Sequence, residues 1–142
     1  MRMTESAEPS RPLPHVVGES YGFDEVRAAL GGDNKPPSFV IHREGAVIGV
    51  CLGTTWNPRA EHDPCEVWVG RKGNQSEWGI KLAETKGPLP VYVRRTEGGP
   101  WFYKGMHKVT GQTINPADIR PRLMPPKIVA VAQVILLSKV AD

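Results

Sequence analysis

The chain has only two cysteines, Cys51 and Cys65, in 142 residues. An intracellular chain keeps such thiols reduced, and a bridge would require strand pairing to bring the two together. No apolar run approaches the roughly 20 residues of a membrane span. The longest, residues 128–137, is interrupted by Gln133. The opening stretch MRMTESAEPSRPLP has no apolar core segment, so no secretory signal is read there. An intracellular protein, cytoplasmic or nuclear, is expected. Also missing are a phosphate-cradling glycine motif, a Walker sequence and an HExxH pair. These absences remove nucleoside triphosphatases, dinucleotide enzymes and zincin proteases from consideration. There is no internal repeat and no visible carboxylate pair for acid–base work.

What is present suits one domain with a sizeable core: hydrophobic residues make up 39% of the chain. The net charge of +3 is unevenly spread. Residues 1–65 hold 6 Lys and Arg against 9 Asp and Glu, whereas residues 66–127 hold 11 against 5. A basic second half fits either a polyanion partner or a solvated basic face.

Residues 1–19 are polar, contain Pro9, Pro12 and Pro14, and read as a disordered or loosely docked tail. Residues 20–142 read as one domain. Residues 21–30 have helical spacing, with Ser20 or Asp24 near the start and Gly31 and Gly32 as the stop. Strands are expected over residues 38–42, 46–52, 65–70, 89–95, 101–110 and 127–140. A second short helix is expected from Ser76, weakened by Gly79. In the strand CEVWVG, Val67 and Val69 face one side, Glu66 and Trp68 the other. Residues 96–100 form a hairpin loop, and Gly105 inside the following strand suggests a bulge. The segment 112–126, rich in proline, reads as a connector that starts one helical turn at Pro116. The expected fold is α+β: a small, partly closed, mixed β-barrel of about six strands with two short helices.

Three chemistries are considered. The first is aromatic stacking beside basic groups, where Trp101, Phe102 and Tyr103 adjoin Arg94, Arg95, Lys104 and Lys108. Alternation puts Trp101 and Tyr103 on one face and Phe102 on the other, so only one face can meet a ligand. The long loop GTTWNPRAEHDP adds Trp56, Asn57, Arg59 and His62. Trp56 is either a lid folded over the core or a stacking surface. The second chemistry is zinc, through His62 and Cys65 at a two-residue gap, with Cys51 and His42 upstream. The third is a thiolate pair of Cys51 or Cys65 with His42, His62 or His107, which no local signature supports.

The segments TTWNP (54–58), EVWVG (66–70), LPVYVRR (89–95) and WFYKGMHKV (101–109) resemble the PUA-like superfamily. That group includes the SRA (YDG), EVE and ASCH modification-reading domains. The resemblance spans about residues 36–111. It implies a barrel whose mouth holds a modified base, often flipped from a duplex, in a protein that binds without catalysing. A separate protein partner then carries the effector activity. By that resemblance Trp56, Asn57 and Arg59 belong to the pocket loop, and Trp68, Tyr92, Trp101 and Tyr103 to its walls. Arg71, Lys72, Arg94, Arg95, Lys104 and Lys108 are the candidate phosphate contacts. The functional expectation is non-catalytic nucleic-acid binding, to DNA before RNA, with no cofactor. The alternatives are a protein-interaction module, or a small hydrolase or zinc protein acting through residues 53–65.

Overall fold

A computed structural model describes residues 14–32, 39–71, 75–122 and 131–141. In chain order it contains β1 (Ser20–Tyr21), α1 (Phe23–Leu30), β2 (Val40–Arg43), β3 (Ala46–Gly53), β4 (Cys65–Gly70) and α2 (Gln75–Ala83). There follow β5 (Leu89–Arg94), β6 (Trp101–Thr113), α3 (Pro116–Ile119), a 3₁₀ turn (Arg120–Arg122) and β7 (Val131–Ala141). The strands form one mixed half-barrel in the order β2-β3-β5-β6-β7-β4, with β1 added to β6. β3 and β5 run parallel and the other pairs antiparallel. β4 and α2 together make the crossover that a parallel pair needs. Among the described residues no helix is long and apolar enough to cross a membrane.

All six expected strands are present, with three corrections. The two-residue β1 is an addition. β6 runs on to Thr113, where the sequence suggested a connector, because β7 pairs with its far end through Gln112↔Ile135 and Thr113↔Val134. The single helical turn at Pro116 is a third helix, capped by Asn115, whose Oδ1 accepts from the Ala117 N–H. Residues 127–130 of the last expected strand, and residues 1–13 of the tail, lie outside the described residues.

Strand alternation sorts the side chains into an inner and an outer layer. The inner core holds Val50, Leu52, Val67, Val69, Val91, Val93, Ile135 and Leu137, closed by Leu82 of α2. Each such fully buried side chain contributes roughly 1.5–3 kcal/mol. α2 approaches so closely that a Cβ on Gly79 would stand 2.7 Å from Val69 Cγ1 and from Gln133 Oε1. The glycine that weakens the helix signal is therefore what lets the helix pack.

The outer layer has two separate patches. Val26 of α1 packs on Ile41, Cys51, Tyr92 and Tyr103; Ile119 of α3 packs on Trp68, Val131 and Val134. α1 begins where the Glu25 carboxylate accepts from the Gly22 N–H, in place of the expected Ser20 or Asp24 cap. It ends at Gly31, in the left-handed region at φ 74°.

The hairpin of β5 and β6 carries the expected bulge. Val91 pairs with Gly105 and Tyr92 with Tyr103, so Lys104 is the extra residue. Gly105 adopts φ 100°, which favours glycine.

Candidate functional site

The loop between β3 and β4, residues 53–64, is wound tightly on itself. The amides of Trp56 and Asn57 both donate to the Gly53 carbonyl, and those of Ala60 and His62 donate to the carbonyls of Asn57 and Arg59. Further contacts fix it to the barrel. Thr54 donates from its amide to the Arg94 carbonyl and from its hydroxyl to the Arg95 carbonyl. Ala60 is buried in the inner core. Asn57, 5% exposed, accepts the Trp68 N–H on its Oδ1 at 2.8 Å. The Arg59 carbonyl takes the Glu66 N–H, so the loop satisfies edge donors of β4 that would otherwise be orphaned.

On this anchored loop Trp56 is 49% exposed. It presents its indole to solvent and does not act as a lid on the core.

Two carboxylates clasp the loop, and the sequence reading assigned a role to neither. Glu61 accepts from Arg95 Nε at 3.0 Å, from Arg95 Nη2 at 2.9 Å and from Lys104 Nζ at 2.9 Å. The hydrogen bonds from Arg95 first, and those from Lys104 next, outweigh desolvation and hold its carboxyl at about 2. The Arg95 guanidinium lies 4.4 Å over the Phe102 ring.

Glu66 is the deeper clasp, with its side chain 8% exposed. It accepts from Trp68 Nε1 and Arg122 Nε, each at 3.0 Å, and faces Arg59 Nη1 at 3.5 Å. Arg122 also donates to the Asp118 carbonyl, tying α3 down over Trp68. One sequence signal pointed here: Glu66 shares the alternating face of Trp68, an unusual place for a carboxylate unless it is partnered.

The expected wall residues fall into two groups. Trp68 belongs with Asn57, Arg59 and Glu66, at the loop. Tyr92, Trp101 and Tyr103 lie in the other outer patch, under α1 and the segment that precedes β1. There His15 stacks on Tyr21 at 3.8 Å and its Nδ1 bonds the Tyr92 hydroxyl at 2.7 Å. Gly18 and Glu19 exchange backbone hydrogen bonds with Tyr103. Burial pushes the His15 imidazole below its ordinary value and the Tyr92 phenol above its own. Trp101 packs against Phe23 and carries Arg94 over its ring at 4.7 Å.

Among the expected phosphate contacts, Arg95 and Lys104 are engaged by Glu61, and Arg94 faces Glu97 at 3.6 Å. Arg71 and Lys108 are exposed, and Lys72 lies outside the described residues.

The zinc and thiolate alternatives find no assembled site. Cys65 sits in the inner core and Cys51 in the patch under α1. His42 stacks on Trp78 at 4.3 Å, and His62 is exposed. Among the described residues no three His, Cys, Asp or Glu side chains are grouped to hold a metal ion. Burial pushes both thiols up, Cys65 to about 12, so neither is a thiolate at neutral pH.

The architecture matches a solved one. The chain is similar to the SRA domain of SUVH5, seen in complex with hemimethylated CG DNA, over 92% of this chain and 93% of that one, with a TM-score of 0.55 and 13% identity. The chain thus shares the fold of that SRA domain. No family model and no curated protein matches the sequence.

Proposed function

We propose that this chain is a non-catalytic DNA-binding module that reads a modified or flipped base against Trp56. The observation that carries the proposal is a half-exposed tryptophan, Trp56 at 49%, on a loop whose neighbouring side chain Asn57 is bonded into β4. A single aromatic ring held in this way is suited to stacking. Base–aromatic stacking contributes on the order of 1–3 kcal/mol per base. That offsets much of the few kcal/mol needed to unstack a base from a duplex.

The loop's anchoring favours this role, because an anchored backbone loses little freedom on binding. Arg59 stands in the same loop, its side chain 39% exposed, where it can reach a base edge or a phosphate. Trp68, buried against Ile119 of α3, holds the loop through its main-chain N–H to Asn57. Arg71 and Lys108 are exposed cations able to follow a phosphate backbone. The SUVH5 domain, crystallised on hemimethylated CG DNA, supports DNA as the ligand class. A module of this kind acts in the cytoplasm or nucleus and leaves the chemical step to a partner.

The test is fluorescence anisotropy with matched duplexes, unmodified and carrying one hemimethylated CG step. Binding is expected to weaken steeply with salt and to favour the modified duplex. Equal affinity for both duplexes removes the base-reading part of the proposal. Salt-independent retention removes DNA binding itself.

A further inference from the structure

The two clasps differ in a way that bears on how the site would meet a phosphate. Glu66 is almost fully covered and also holds the Trp68 indole N–H, so no solute can take its place. Glu61 is open: its side chain is 29% exposed, that of Lys104 29% and that of Arg95 51%. A carboxylate gripped by both nitrogens of an arginine fork and by an ammonium is bound as a phosphate is bound. The fork also has a support of its own. Arg95 rests on the Phe102 ring, and its backbone carbonyl is fixed by Thr54, so it stays aimed when the carboxylate leaves. Lys104 is aimed by the bulge at Gly105, which places it as the extra residue of β6.

We infer that Arg95 and Lys104 form a phosphate subsite which Glu61 occupies in the free protein as an internal stand-in. Nucleic-acid phosphate and Glu61 then compete for the same two cations. The inference rests on the DNA-binding proposal and adds to it that the site is self-masked. Partly exposed ion pairs add little to stability, so exchanging Glu61 for a phosphate costs the fold little. Masking lowers the apparent affinity by the fraction of molecules in which the cations are free. Removing the mask should therefore tighten binding, whereas removing a mere staple should loosen it.

The experiment compares the full chain with Glu61→Gln, which keeps an oxygen acceptor for Arg95 and removes the charge. Glu84→Gln, at an exposed position of the turn after α2, is the control for net charge. Binding of a short hemimethylated CG duplex is measured across a salt series. Glu61→Gln is expected to bind about 5-fold tighter, the strength of a pair of exposed ion contacts. Its salt slope should steepen by about 1, because in the parent the displaced Glu61 carboxylate takes up a counterion that the variant does not. Glu84→Gln should change neither by as much, and adding Arg95→Ala to Glu61→Gln should abolish the gain.

Unchanged or weaker binding by Glu61→Gln overturns the inference, as does an equal gain in Glu84→Gln. A second arm separates this from the DNA proposal. Inorganic pyrophosphate is titrated while the Arg95 Nε–H resonance is followed by NMR. A shift at lower concentration in Glu61→Gln than in the parent supports the masked subsite even if no duplex binds. Equal responses refute it, whatever DNA does.

Discussion

Asn57 Oδ1 accepts the main-chain N–H of Trp68 at 2.8 Å, joining the apex of a long loop to the edge of β4 across eleven residues of sequence. Both partners are buried, at 5% and 1% exposure. The bond makes the loop part of the barrel, and it fixes the backbone from which the neighbouring Trp56 projects.

Asn57→Ala removes the acceptor that Oδ1 provides for the buried Trp68 amide. That costs about 1–3 kcal/mol. Urea unfolding should show a lower midpoint with an unchanged slope. Trp56→Ala, at an exposed position, should leave the midpoint where it is. Equal midpoints for Asn57→Ala and the parent would mean that the loop is held by its other contacts.

Gly79→Ala sets two effects against each other. Helix propensity alone favours alanine by about 1 kcal/mol. The added Cβ, however, meets Val69 and Gln133 at 2.7 Å, and neither is a free surface side chain. Overpacking of this kind costs about 1–3 kcal/mol, so the variant should be less stable than the parent in thermal denaturation. A stabilised Gly79→Ala would show that α2 can shift outward freely.

Glu66→Ala should be the most damaging change at the site. It removes the carboxylate that accepts the buried Trp68 indole N–H, at about 1–3 kcal/mol, and releases Arg122 from Glu66. Since Arg122 ties α3 over Trp68, amide exchange in residues 116–122 should accelerate alongside the fall in stability. Protection unchanged in that segment would show that Ile119 alone holds α3 down.

Acid should act on the fold in two windows. His15 and His107 have values lowered chiefly by burial, opposed by Glu25 for His15, and for His107 by the Gly105 carbonyl and Asp63. The unfolded chain then binds more protons than the folded one just below the ordinary histidine value. Their contribution is complete above about pH 6.5 and is lost as pH falls through the lowered values. Glu61 acts further down. Its stabilising effect is present above the ordinary 4.5 and is lost as pH falls towards about 2. Urea midpoints should therefore decline first below neutrality and again in strong acid. Glu61→Gln should flatten only the second decline.

Much of this architecture could be read from residue types. Alternation in CEVWVG correctly put Glu66 and Trp68 on one face and Val67 and Val69 on the other. Gly105 marked the bulge, and Gly31 the end of α1. What could not be read depends on contacts between distant residues. His15 reaches Tyr92 across 77 positions, so nothing local shows that Tyr92 and Tyr103 are roofed by the chain's own N-terminal segment. The pairing of β7 with the far end of β6 likewise decides where β6 stops. The roles of Asn57 and Glu61 rest on side-chain bonds to other elements, which composition and spacing do not encode. Of the hairpin rings, Tyr92, Tyr103 and Trp101 pack in one patch with Val26, Tyr21 and Phe23, a grouping set by chain segments far from them in sequence.

The central claim is that Trp56 stacks on a base of bound DNA. Its most direct test is the affinity of Trp56→Ala for a hemimethylated CG duplex at fixed salt, with the unfolding midpoint measured on the same sample. The account predicts a loss of about 10-fold or more, within the range of one base–aromatic stack, and an unchanged midpoint. Undiminished affinity, or loss of affinity only through unfolding of the domain, would contradict it.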